Sequence, residues 1–141
     1  ELGRAHFHPL PRIAEGQWLA AQPGVHAMLD LSDGLLQDAG HIANAVCMGV
    51  DIAPEKIPLS AAMRHLLTSM EEEAAIVAAS GGEDYELIVA VEPAGFGAMQ
   101  AAFQERFDLP LNAVGQFTSA WQGARIQGET PAHAGFNHFE K

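Results

Sequence analysis

The spacing of apolar positions changes several times along the chain, and each change predicts an element. VHAMLDL, residues 25–31, alternates strictly, which is the pattern of a half-buried strand. It sets Val25, Ala27, Leu29 and Leu31 on one face, and His26, Met28, Asp30 and Ser32 on the other. From Asp33 onward the period lengthens. Leu35, Leu36, Ala39, Ile42, Ala43 and Val46 recur at three and four residues, so a helix is predicted, with Gly49 expected to end it. VDIA forms a short strand before Pro54, and SAAMRHLLTSM opens another helix with Ser60 as its N-cap. EEEAAIVAAS continues or restarts that helix. Its Glu71 to Glu73 run suits either a helix start, where acids meet the positive end of the dipole, or a solvated turn. ELIVAV reads as a buried strand ended by Pro93, and Ala94 to Arg106 as an amphipathic helix with Phe96, Met99 and Phe103 inward. NAVGQF and GARIQG are weaker strands. Near the start, HFHPLPR is extended, and AEGQWLAAQ is a short helix broken by Pro23-Gly24. Strands alternating with helices argue for one α/β or α+β layered domain over residues 1–141.

Charge narrows the partners of such a domain. Eighteen acids against seven Lys and Arg give a formal net charge of −11, which repels nucleic acid and anionic lipid. It also repels a phosphorylated substrate unless metal ions or backbone amides intervene. The AAIVAA run at 74–79 is too short to span a bilayer, and ELGRAHFH does not resemble a secretory signal. The single cysteine, Cys47, excludes an internal disulfide and fits a reducing cytoplasm. Set in NAVCMGV, it is expected to be a small buried hydrophobe.

The candidate chemistry gathers at DLSDG, residues 30–34. Asp30 and Ser32 end a strand and Asp33 stands where a helix begins, a kind of junction that ligands favour. Converging oxygens, two of them anionic, suit a hard cation of the Mg²⁺ type. The alternative is structural: Asp33 or Ser32 caps the helix and Asp30 is an exposed strand end. An EF-hand read from Asp30 fails, because Gly34 falls at position 5 and His41 at position 12. Neither a P-loop nor a G-x-S-x-G motif is present. The seven histidines, among them His6, His8, His133 and His138, lack an H-E-x-x-H spacing or cysteine partners, which argues against zinc. A second candidate is SGGEDYEL, residues 80–87. Gly81 and Gly82 permit close backbone approach there, and Glu83, Asp84 and Glu86 offer carboxylates. A third is GFNHF at 135–139, where Phe136 and Phe139 suit either a ligand or the core.

Taken in order, HPLPR, DLSDGLLQDAGHI, IPLS, GGEDYEL and GFNHF make the chain resemble the C-terminal domain of the thiamine-monophosphate kinase family. That family lies within the aminoimidazole-ribonucleotide-synthetase-like superfamily. The resemblance implies a two-layer α/β (α+β) sandwich, with a mixed or mostly antiparallel sheet and helices packed on one face. It implies ATP- and Mg²⁺-dependent phosphorylation of thiamine monophosphate, with Asp30 and Asp33 as magnesium ligands and Ser32 touching ATP. Glu83 would contact the thiamine moiety, and Phe136 would line the substrate pocket. The acceptor is already an anion, since a phosphomonoester's second pKa is about 6, so no residue is expected to act as a general base. Family members also carry an N-terminal domain with further metal-binding aspartates, a glycine-rich nucleotide region and the dimer core. This chain is therefore expected to be an isolated C-terminal domain with little activity alone, its whole enzyme a cytoplasmic homodimer. Selenophosphate synthetases, hydrogenase-maturation factors and a non-catalytic binding module are the rival readings.

Overall fold

A computed structural model describes residues 7–69 and 74–130. Its first strand, β1 (Val25–Asp30), pairs antiparallel with β3 (Leu87–Val91). The remaining strands, β2 (Gly49–Ile52), β4 (Gly115–Thr118) and β5 (Gly123–Ile126), form a separate mixed sheet in the order β4-β2-β5, with β4 antiparallel and β5 parallel to β2. The helices are α1 (Ile13–Ala20), α2 (Leu35–Ala45), α3 (Ala61–Ser69), α4 (Ala74–Ser80) and α5 (Pro93–Phe107), with a 3₁₀ turn at Pro54–Lys56. The α/β class and the mixed strand pairing match the expectation. Within that class, helices flank both faces of the β1–β3 ribbon.

The reason is that the ribbon divides two hydrophobic cores. In the larger, Leu35, Leu36, Ala39 and Ala43 of α2 pack with Val50, Ile52, Ile57, Ala79, Ile88 and Ile126, joined by Leu29 and Leu31. In the smaller, Leu19 of α1 meets Met99 and Phe103 of α5, joined by Val25, Met28, Leu87, Val89 and Val91. Trp18, Phe103 and Phe107 form an aromatic group there, with ring centroids 4.9 to 6.0 Å apart. Helix α2 contacts both sheets and α4, so its apolar stripe holds the molecule's layers together. Leu36 is 1 % exposed, and truncating such a leucine to alanine typically costs about 2–5 kcal/mol.

Several sequence expectations need adjustment. Val25 faces the smaller core with Met28, not the larger one with Leu29. The strand register explains this: Val25 pairs with Val91 but Ala27 pairs with Ala90, so His26 is an extra residue, a β-bulge that resets the alternation. Cys47 is exposed rather than buried. It sits at φ +55° just past the end of α2, the left-handed position that glycine more often fills. Gly49 does not end the helix but starts β2, where a side chain would collide with the Trp121 ring. That ring in turn stacks under the Arg125 guanidinium at 4.1 Å. Ser60 does cap α3, its Oγ accepting from the Met63 N–H at 3.1 Å. The Glu71 to Glu73 run lies outside the described residues.

Candidate functional site

The junction from strand to helix is organised by a residue that pattern reading passed over. Asp38 stands on the first turn of α2 and is 2 % exposed. Its Oδ2 accepts three consecutive backbone N–H groups, from Ser32 at 3.0 Å, Asp33 at 3.1 Å and Gly34 at 3.2 Å. A buried carboxylate must be paired in this way to be tolerated. Burial lifts the Asp38 carboxyl above its ordinary range, the three amides pull it back down, and the nearby Asp33 charge pushes it up again. The arrangement works like a capping box reaching back from inside the helix. Gly34 occupies the N-cap position without a side-chain cap bond. Neither Ser32 nor Asp33 is the cap, so the capping part of the structural alternative does not describe this junction, while Asp30 is the exposed strand end that alternative expected.

The second motif lies directly against the first. Beyond the paired strands, the Leu31 N–H donates to the Glu86 carbonyl at 2.9 Å and the Tyr85 N–H to the Leu31 carbonyl at 2.8 Å. The Glu83 N–H donates to the Ser32 carbonyl at 2.9 Å. This approach requires glycines. A Cβ on Gly82 would lie 2.6 Å from the Ser32 carbonyl oxygen, and one on Gly34, itself at φ +115°, would lie 3.0 Å from the Ser80 carbonyl oxygen. Glu83 and Tyr85 both adopt positive φ, at 68° and 51°, conformations that cost non-glycine residues about 1–3 kcal/mol each. Arg12, from HPLPR, grips the end of the loop. Its Nε donates to Glu86 Oε2 at 2.8 Å and its Nη2 to Glu86 Oε1 at 2.6 Å. Asp84 keeps contact with solvent, yet partial desolvation raises its carboxyl pKa and the Glu86 charge adds to the shift.

Of the residues singled out from sequence, Asp30, Ser32, Asp33 and Glu83 therefore belong to two loops joined by backbone hydrogen bonds. Asp30 is exposed and pairs with Leu87, and Ser32 has both its N–H and its carbonyl engaged, which leaves the hydroxyl without a hydrogen bond among the described residues. Asp33 gathers with Asp38 and His41, their ligating atoms within 4.8 Å of one another. Among the described residues, no such group of three includes Asp30. Phe136 lies outside the described residues. A shallow hollow of about 310 Å³, lined by Asp51, Glu55, Lys56, Gln116 and Gln127 among others, includes none of the motif residues.

Two residues that hold the site escaped the sequence reading. Asp38 left a signal, because it stands three residues after Leu35 and four before Ile42, inside the apolar stripe of α2. An acid there has to find donors. Arg12 left none beyond its membership of a matching motif.

No family model matches the chain. In sequence it is 37% identical over 141 residues to a thiamine-monophosphate kinase of Escherichia coli O157:H7, covering 96% of this chain and 42% of that relative. In structure it is similar to thiamine-monophosphate kinase from Stenotrophomonas maltophilia K279a, with a TM-score of 0.80 at 35% identity over 89% of this chain and 38% of the other. The chain belongs to the thiamine-monophosphate kinase family. It corresponds to the C-terminal part of these kinases and spans 42% of the length of the Escherichia coli relative. A further thiamine-monophosphate kinase structure, AaThiL complexed with AMPPCP and TMP, matches with a TM-score of 0.75 at 27% identity, covering 98% of this chain and 41% of that one. Among the described residues, no helix is long and apolar enough to cross a membrane.

Proposed function

We propose that the intact protein transfers the γ-phosphoryl group of ATP to thiamine monophosphate, and that this chain supplies the C-terminal part of the site. One observation carries the reading. Asp38 occupies the three amides at 32–34, so this helix start offers an incoming phosphate no ready cradle of N–H groups. Asp30 and Asp33 do not cap the helix, and although Asp33 Oδ2 accepts from the Gln37 side-chain amide at 3.4 Å, both carboxylates stand at the loop where a cation would be collected. Hard carboxylate oxygens at a solvent-facing loop fit Mg²⁺, and Asp30 and Asp33 would hold it. Bound Mg²⁺ neutralises phosphate oxygens and aligns donor with acceptor. That resolves the conflict between a −11 chain and a polyanionic substrate pair.

The remaining roles follow from position. Ser32 has only its hydroxyl to offer ATP. Glu83, brought beside Ser32 by its own N–H, would present its carboxylate to the donor groups of the aminopyrimidine. Phe136 would supply an aromatic face for the cationic thiazolium. The acceptor phosphate needs no proton removed, and so no general base is assigned. The intact enzyme is read as a cytoplasmic homodimer acting on small molecules, without nucleic acid or membrane partners.

The test is turnover by the full-length protein with ATP, Mg²⁺ and thiamine monophosphate, following thiamine diphosphate by chromatography. Robust formation is expected, with little or none from residues 1–141 alone. A full-length protein that ignores thiamine monophosphate but turns over another phosphate acceptor, or selenide, would overturn the assignment.

A further inference from the structure

We infer that Asp38 is a positioning residue, which fixes the direction of the Asp30–Asp33 loop without itself binding metal or substrate. The inference rests on the proposed function only for its activity readout.

A single oxygen, Asp38 Oδ2, receives the N–H groups of three successive residues at 3.0 to 3.2 Å. Three successive amides aimed at one point form an anion-binding nest, and here the anion is built into the chain. Because Asp38 is anchored by the buried stripe of α2 between Leu35 and Ile42, the helix core dictates where the nest sits. On its other side, Ser32 is tied through its carbonyl to Glu83. The loop is thus held on one side by the Asp38 carboxylate and on the other by backbone bonds to the Glu83 loop. Oδ2 already has three donors, so only Oδ1 is left to ligate an ion as well. The rival is that Asp33, Asp38 and His41, which lie within 4.8 Å of one another, are themselves the ion site.

The experiment compares Asp38→Asn, His41→Gln and, as a stability-matched control in the other core, Phe103→Leu, all in the full-length protein. Binding is read with Mn²⁺ as the probe, by its electron paramagnetic resonance signal, beside kcat and KM. Asp38→Asn should weaken Mn²⁺ binding and lower kcat per folded molecule by about tenfold or more, as loss of a ligand-orienting group typically does. KM for thiamine monophosphate should stay within about twofold, because uniform substrate binding is untouched. Phe103→Leu should lower Tm and leave Mn²⁺ affinity and both constants alone. His41→Gln should leave Mn²⁺ affinity unchanged. A loss with His41→Gln equal to that with Asp38→Asn would overturn the inference in favour of direct ligation, as would a folded Asp38→Asn with wild-type Mn²⁺ affinity. Should Asp38→Asn not fold, amide exchange in the wild type decides. Slow exchange at residues 32–34 supports the inference, and exchange at unprotected rates overturns it. If the wild type does not phosphorylate thiamine monophosphate, the functional reading fails while the Mn²⁺ and exchange results still judge Asp38.

Discussion

The two acidic loops that meet at the site are held in opposite ways. Residues 30–34 are clamped from beneath by a buried carboxylate belonging to the helix they introduce. Residues 81–86 have no such internal anchor among the contacts described. They rest on the first loop through backbone bonds, bear two non-glycine residues at positive φ, and are tethered by the Arg12–Glu86 ion pair. One loop inherits the rigidity of the core, and the other borrows its place from its neighbour. That division suits a cation, which needs fixed ligands, beside a substrate, which tolerates some adjustment.

The comparison can be broken most severely at the rigid loop. In the full-length enzyme, Asp30→Asn or Asp33→Asn should cut kcat by about a hundredfold or more, with partial recovery at high Mg²⁺, because the lost interaction belongs to the reacting state. Unchanged kcat in steady-state assays would return the aspartates to a purely structural role. Gly82→Ala attacks the contact between the loops. With its Cβ placed 2.6 Å from the Ser32 carbonyl oxygen, the loops must separate, at a cost of about 1–3 kcal/mol. Calorimetry should show a lower Tm, and KM for thiamine monophosphate should rise, the burden falling on the borrowed loop. Arg12→Ala removes the tether together with the Arg12–Glu15 ion pair at 3.5 Å. Exposed pairs contribute about 0.2–1 kcal/mol, so Tm should fall slightly, with a few-fold rise in KM for thiamine monophosphate and little change in kcat.

The smallest effect should come from Asp84. Its folded pKa is raised by desolvation and then by Glu86, so ionisation disfavours the folded state. The group's contribution is therefore intact below its unfolded pKa of about 3.9 and is lost as pH rises through the folded value. Asp84→Asn should give a slightly higher Tm than wild type at pH 7, and the gap should close below about pH 4. A gap that widens in acid would refute the sign.

What the sequence made legible was whatever repeats. The stripe of α2 and the buried ELIVAV strand declared themselves through periodicity, and DLSDG and GGEDYEL through composition, with their meeting visible only in three dimensions. Asp38 was half legible, as an acid where the period called for an apolar residue. The partition into two cores was only partly legible: the unbroken apolar run LIVAV implies two buried faces, but the bulge at His26 that assigns Val25 to the second core leaves no local signal. Cys47 misled because its apolar neighbours suggested burial, whereas the helix had already ended and the backbone there required a left-handed turn.

The supernumerary His26 has a consequence for Asp30, four residues further along the chain. Side-chain direction along a strand is a count of odd and even, and one added residue changes the phase of everything after it. Upstream of the bulge, Val25 is committed to the aromatic core. Downstream, the same commitment with His26 paired in a regular ladder would swing Asp30 toward α2 and Leu31 away from it. Deleting His26 would leave that phase intact; drawing His26 into a regular ladder is what would force a choice between packing the first strand and aiming its acids, a choice the bulge lets the protein avoid.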